Sequence, residues 1–220
     1  MSISDLLKFG GKRPDVPVAG PIGDAPAPAG PDTVVASKAL PKFIGALSHH
    51  EAPVLVDFGP VIGTNVAFFG EQLGCKLVIE DLDAQIDRHT REGTRDVLAE
   101  SLVKRFGQAD GSVDGVLCWD VFDFLSPAAA KALALQVVRI LKPGGAVMGF
   151  FCTKAVDRAP FTKFEIVEPQ TLRHRHHPGS GGPKYVLQNR DIIKMFDGLF
   201  VSESFLLKSN TREILLRKRA

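Results

Sequence analysis

The residues of this chain that could do chemistry begin with the segment VLVDFGPVIGTN, residues 54–65. Asp57 is followed there by a turn that contains Gly59, Pro60 and Gly63. A carboxylate, a glycine turn and the start of a helix suit a nucleoside-containing ligand, because backbone N–H groups can come close to it and the helix end adds a partial positive charge. The β-branched residue Val61 stands inside the turn, where it resists positive φ and adds bulk.

Two later segments add four more acidic candidates. Glu80 and Asp81 end the stretch LVIED, and Asp120 and Asp123 follow Trp119 in the stretch WDVFD. A carboxylate can orient or deprotonate a nucleophilic oxygen or nitrogen. The alternative for the second pair is that one of its members caps the next turn.

Alternating strand and helix patterns must position these residues. Strands are predicted by four apolar runs, at 54–58, 76–80, 113–119 and 146–152. Strands that are apolar on both faces and separated by helices indicate a parallel sheet covered on both sides. The last two strands, joined by the turn-prone KSNT, predict an antiparallel hairpin. The sequence therefore predicts an α/β fold with a doubly wound, mostly parallel sheet and a C-terminal antiparallel hairpin.

The order of these segments resembles the class I S-adenosylmethionine (SAM)-dependent methyltransferases. DFGPVIG keeps Asp57, Gly59 and Gly63 in the register of that family's first motif, with Val61 in the place of the middle glycine. GSVDGVLCWDVFDFL resembles the family's fourth strand and the loop after it, and ILKPGGAVMGFF resembles the helix end, turn and fifth strand that follow. The helix-like TRDVLAESLVKRF replaces an obvious third strand. A nicotinamide dehydrogenase would instead carry G-x-G-x-x-G, which this sequence lacks.

The resemblance implies a methyltransferase with SAM as cofactor and a small molecule or protein side chain as methyl acceptor. The residues that it implies for cofactor binding are Asp57, Gly59, Pro60, Gly63, Glu80, Asp81 and Trp119. Only one of Glu80 and Asp81 should hold the ribose hydroxyls. Asp120 and Asp123 would face the methyl group and the acceptor as candidate catalytic residues. We expect Pro60 to reshape the turn so that Val61 points away from the ligand; the alternative is that binding is weakened or lost.

The composition and net charge limit the kinds of partner that this chain is expected to bind. A net charge of +2 is too small to indicate nucleic acid or an anionic membrane surface, and no apolar segment approaches the roughly 20 residues of a membrane span. Three cysteines lie in or beside apolar runs, which is typical of reduced thiols in a cytoplasmic protein. The cluster HRHH at 174–177 has no carboxylate or cysteine beside it to complete a metal site, so no metal is expected.

The chain is expected to consist of a flexible part and a folded part. Residues 1–32 are rich in Pro, Gly and Ala and predict a flexible arm, with a possible docking helix for a protein partner within residues 1–10. Residues 33–220 would form the methyltransferase-like domain, beginning with one or two short helices over 34–49. The alternative function is a catalytically inactive methyltransferase-like protein that binds or regulates a partner through its N-terminal peptide.

Overall fold

The computed structural model describes residues 31–176 and 181–220 and has a six-stranded mixed sheet at its centre. Four parallel strands form its body: β2 (Val54–Asp57), β3 (Lys76–Ile79), β4 (Val113–Trp119) and β5 (Leu141–Cys152). A C-terminal hairpin of β10 (Leu199–Leu206) and β11 (Thr211–Lys218) is antiparallel and joins β5 through β11. The strand order is β10-β11-β5-β4-β2-β3. The predicted α/β class, mostly parallel sheet and terminal hairpin are confirmed.

Helices cover both faces of this sheet. They are α1 (Leu40–Leu47), α2 (Gly63–Val66, continued by a π-helix at Ala67–Gln72), α3 (Leu82–Arg91), α4 (Leu98–Arg105), α5 (Pro127–Ile140) and α6 (Asn189–Met195). Val56 and Val116 belong to the apolar core beneath α3 to α6, whereas Leu55 and Leu117 belong to the core beneath α1. Because neighbouring strand residues point to opposite faces, both sides of each strand are apolar, as the continuous runs predicted.

The segment between β3 and β4 is helical, which confirms the absence of a third strand. A 3-10 turn at Arg95–Val97 leads into α4, and α4 packs beside α5. Consequently β3 is an edge strand of the central sheet. The side chains of α4 therefore reach the carboxyl end of β3, where a neighbouring strand would otherwise lie.

A small sheet stands over the carboxyl ends of the parallel strands. It has the order β1-β8-β7, from β1 (Thr33–Ala36), β7 (Thr162–Glu168) and β8 (Thr171–His176), beside a ribbon of β6 (Val156–Ala159) and β9 (Gly182–Lys184). The buried amide of Asn65 joins this sheet to α2: its Nδ2 donates to the Phe164 carbonyl at 2.8 Å, and its Oδ1 accepts from the Ile166 N–H at 2.8 Å.

The first described residues differ from the sequence prediction. The prediction of helix over 34–49 is wrong for its first residues, because Thr33–Ala36 forms a strand that pairs with β8. β-Branched residues at 33–35 favour that extended conformation. The flexible arm was predicted over residues 1–32, and its first 30 residues, with the possible docking helix at 1–10, lie outside the described residues. No helix within 31–176 and 181–220 is long and apolar enough to cross a membrane.

Candidate functional site

Asp57 at the end of β2 organises the glycine turn. Its Oδ1 accepts hydrogen bonds from the N–H of Gly59 at 2.9 Å and from Nε1 of Trp119 at 2.6 Å. The side chain is only 2% exposed. Burial raises the pKa of Asp57 to about 6, although the two N–H donors act in the opposite direction. Asp57 therefore ties the turn after β2 to the residue that ends β4.

Trp119 fills the space beside this turn. It has a left-handed backbone, with φ of 47°, and its ring stacks on Phe164 with centroids 5.1 Å apart and planes within 4°. A Cβ added at Gly59 would lie 2.8 Å from Cδ1 of Trp119. Glycine is therefore required at 59 for the close approach of an indole ring. Gly63, at the start of α2, has nothing within 4 Å of an added Cβ.

Glu80 and Asp81 have different surroundings at the end of β3. Glu80 is 8% exposed, and its two oxygens accept from Nε of Arg105 at 2.7 Å and from Nε2 of Gln108 at 2.9 Å. Arg105 also donates to the main-chain carbonyl of Glu80. Asp81 is half-buried with a φ of 43°, and it caps α3 by accepting from the N–H of Ala84 at 3.3 Å. Glu80 is thus paired with Arg105, whereas Asp81 forms no ion pair with a lysine or arginine among the described residues.

A groove of about 380 Å³ lies between the glycine turn, the start of α3 and the start of β7. The residues that line it are Pro60, Val61, Asp81, Asp83, Ala84, Asp87, Arg91, Phe161 and Lys163. Val61 is 69% exposed and forms part of its wall. Asp83, by contrast, is buried, and its Oδ1 has no hydrogen-bond partner among the described residues. The groove thus brings together part of the glycine turn and the acidic N-terminus of α3.

Asp120 and Asp123 lie on a neighbouring side of the site and share a lysine. Nζ of Lys184 is 2.7 Å from Oδ2 of Asp120 and 3.4 Å from Oδ2 of Asp123. Asp123 also accepts from the N–H of Cys152 at 3.0 Å. Burial disfavours a charged lysine here, but the two carboxylates prevail and raise the pKa of Lys184 above its usual value. Lys184 is therefore a permanent cation held by two predicted catalytic residues.

A second groove, of about 270 Å³, opens beyond the end of β5. Lys184 forms part of its wall, together with Cys152, Lys154, Thr162 and His176. Residues 159–163 separate this groove from the first, since Ala159 and Pro160 line one and Phe161 lines the other. The ion-paired cluster of Asp120, Asp123 and Lys184 thus borders the second groove.

The sequence predicted most of the residues that form this site, but it did not predict several others that the structure places there. Arg105 gives no sequence signal, because its contact with Glu80 depends on how α4 packs. Asp83 was visible in the acidic DLD pattern at 81–83, but its burial was not. His174 packs edge-on against the ring of Phe164 with centroids 4.8 Å apart. No group of His, Cys, Asp and Glu within the described part of the chain is arranged to hold a metal ion.

Comparison with known proteins identifies the central segment. Residues 56–149 match the family model described as a methyltransferase domain. No curated protein matches the chain. Among solved structures, the CcbJ methyltransferase from Streptomyces caelestis is 17% identical, with 82% of this chain and 94% of that chain covered and a TM-score of 0.49.

Two further solved structures are similar. Magnesium protoporphyrin IX methyltransferase from Synechocystis PCC 6803 with bound SAM is 13% identical, with 82% of this chain and 78% of that chain covered and a TM-score of 0.48. The 1,6-didemethyltoxoflavin-N1-methyltransferase of Burkholderia thailandensis, bound to S-adenosylhomocysteine, is 15% identical, with coverage of 84% and 80% and a TM-score of 0.46. The resemblance to methyltransferases that was read from the sequence is confirmed by the family model, whose match at residues 56–149 covers less than half of the chain.

Proposed function

We propose that this protein is a SAM-dependent methyltransferase that binds its cofactor in the groove beside the glycine turn. The observation that carries the proposal is the position of this groove at the carboxyl ends of β2 and β3, where seven of its nine lining residues belong to the matched segment. Ligands of open α/β sheets bind in such crevices, outside the carboxyl ends of the strands. Pro60, Val61 and Asp81 all line this groove.

Asp81 is the residue proposed to hold the ribose. Its carboxylate lines the groove, whereas both oxygens of Glu80 are already engaged by Arg105 and Gln108. A carboxylate can accept hydrogen bonds from two neighbouring hydroxyls. Asp57 would act indirectly by fixing Gly59 and Trp119, and Gly63 would begin the helix that follows the turn.

The second groove is the proposed acceptor site. When bound, SAM supplies a methyl group on a positively charged sulfur, which is a good leaving group. The protein then has to hold the acceptor in line, and such positioning can supply much of the acceleration. Asp120 and Asp123 would hold Lys184 at the wall of this groove, where its charge can orient a polar acceptor. Either carboxylate could also accept a proton from the acceptor.

Calorimetric titration with SAM and S-adenosylhomocysteine tests the cofactor site. We expect one molecule of either compound to bind per chain. Ala84 is exposed and lines the groove, so Ala84→Phe should abolish binding. Ala128 is exposed on α5 away from the groove, and Ala128→Phe is the matched control that should bind normally. Equal binding by both variants, or no heat with the folded wild type, would contradict the proposed cofactor site.

A non-catalytic binding protein is the second candidate, and two observations favour it. Trp119 already occupies the open side of Gly59, and Arg105 already neutralises Glu80. In that case neither compound should bind, while deletion of residues 1–10 should abolish recovery of a protein partner in a pull-down. Unchanged recovery would remove this candidate.

A further inference from the structure

Asp83 is a buried acidic residue that the fold itself does not explain. It lies in the first turn of α3, is 8% exposed and lines the groove beside the glycine turn. Its Oδ1 is buried without a hydrogen-bond partner among the described residues. A buried carboxylate without a partner is costly, so such a group is usually protonated or paired with a cation.

The charges around Asp83 are predominantly negative. The charged groups that act on Asp83 from neighbouring elements are Asp57 at the end of β2, Asp81 before α3, Asp120 after β4 and Lys184 on β9. Lys184 is already bonded to Asp120 and Asp123. The other charged groups of the groove wall are Asp87, Arg91 and Lys163, and Arg91 pairs with Asp87 at 2.8 Å.

These surroundings determine the protonation state of Asp83. Burial, and then the negative charge of Asp120, raises the pKa of Asp83 well above its usual value. A positive charge placed in the groove would reverse this balance, because it favours the ionised carboxylate. The unpartnered oxygen of Asp83 and the groove that this residue lines therefore fit a ligand that carries a cation.

We propose that Asp83 is the counter-ion for a positively charged group of the ligand in this groove. The inference rests on the proposed function, since SAM carries both a sulfonium and an ammonium group. It goes beyond that function by assigning the selection of the charged cofactor to one residue. When the cation enters, the proton of Asp83 leaves to solvent, and the carboxylate pairs with the cation.

Binding of SAM and of 5′-methylthioadenosine to the full chain tests the inference. The second compound keeps the adenosine and the sulfur but has neither positive charge. Asp83→Asn should weaken SAM binding at least tenfold and change binding of 5′-methylthioadenosine less than twofold. Asp87→Asn, a change in the same groove wall at a residue already paired with Arg91, should leave the ratio of the two affinities unchanged.

The outcomes separate this inference from the proposed function. If Asp83→Asn weakens both compounds equally, or neither, the counter-ion role is overturned while the cofactor site stands. If the wild type binds neither compound, both proposals fall. Should Asp83→Asn not fold, the wild type decides through its SAM binding enthalpy at pH 7.5 in phosphate and in Tris. A SAM binding enthalpy that is more exothermic in Tris than in phosphate, with no such difference for 5′-methylthioadenosine, supports proton release. Equal enthalpies in the two buffers, or the opposite difference, overturn it.

Discussion

Asp57 and Glu80 lie at the carboxyl ends of neighbouring parallel strands, yet they have different partners. Asp57 accepts two N–H donors without charge, from Gly59 and Trp119, and its pKa is raised to about 6 by burial. Glu80 is paired with the guanidinium of Arg105. The first carboxylate shapes the turn beside the groove, and the second fastens α4 to the sheet.

This difference shows that a carboxylate at the end of a strand is available to a ligand only if the adjacent element leaves it free. Beside β3, the chain forms α4 instead of a further strand, and α4 brings Arg105 to Glu80. The neighbouring Asp81 remains in the groove. The helix α4 in place of a further strand thus explains why Glu80 is paired, and it leaves Asp81 as the proposed ribose contact.

The largest effect is expected from breaking the pair at Glu80. Arg105→Ala would leave a buried carboxylate without its cation, so the free energy of unfolding should fall by about 3 kcal/mol, the low end for such a pair because the guanidinium is about one third exposed. Urea denaturation measures this loss. Lys104→Ala removes an exposed pair with Glu100 on the same helix and should leave the midpoint nearly unchanged. Similar losses in the two variants would show that Glu80 does not depend on Arg105.

The substitution Asp57→Asn is expected to stabilise the protein at high pH. The folded-state pKa of about 6 lies above the usual 3.8, so the folded protein binds more protons between these values and loses stability as the pH rises through them. At pH 8 this pKa shift corresponds to a destabilisation of the wild type by about 3 kcal/mol, which Asp57→Asn removes. The unpaired amide hydrogens of the new asparagine should cost about 1 kcal/mol. The free energy of unfolding should therefore rise by about 2 kcal/mol.

Urea denaturation of this variant at pH 8 and pH 4 checks the sign. The gain should be present at pH 8 and absent at pH 4, where the wild-type carboxyl is protonated in the folded state. Asp96 is exposed, so Asp96→Asn should show no such pH-dependent gain. Destabilisation by Asp57→Asn at pH 8 would mean that the ionised carboxylate is favourable in its site.

A smaller effect is expected at the glycine that touches the indole. Gly59→Ala would place a Cβ 2.8 Å from Trp119, which is stacked on Phe164, so the free energy of unfolding should fall by roughly 1 to 2 kcal/mol. Trp119 is the one tryptophan of the chain, and its emission should shift to longer wavelength as the ring becomes exposed. Gly63→Ala meets no neighbour and should leave the emission unchanged. Identical spectra for both variants would contradict the packing at Gly59.

The sequence predicted the parts of this molecule that depend on local pattern. The apolar runs predicted the four parallel strands, and the turn-prone KSNT predicted the hairpin, because apolar periodicity and turn chemistry act over short distances. Thr33–Ala36 was missed because a four-residue edge strand is defined by its distant partner, β8. The bond from Arg105 to Glu80 and the burial of Asp83 depend on how α3 and α4 pack, which no local pattern records.

We propose that the groove beside the glycine turn binds SAM through Asp81 rather than Glu80. Titration calorimetry of Asp81→Asn and Glu80→Gln with SAM tests it directly. Asparagine can still cap α3 and adopt the left-handed backbone, so Asp81→Asn should fold normally. It should weaken SAM binding about tenfold, roughly 1.4 kcal/mol, whereas Glu80→Gln should change it less than twofold. The reverse result, a loss with Glu80→Gln and none with Asp81→Asn, would mean that Glu80 and not Asp81 holds the ribose.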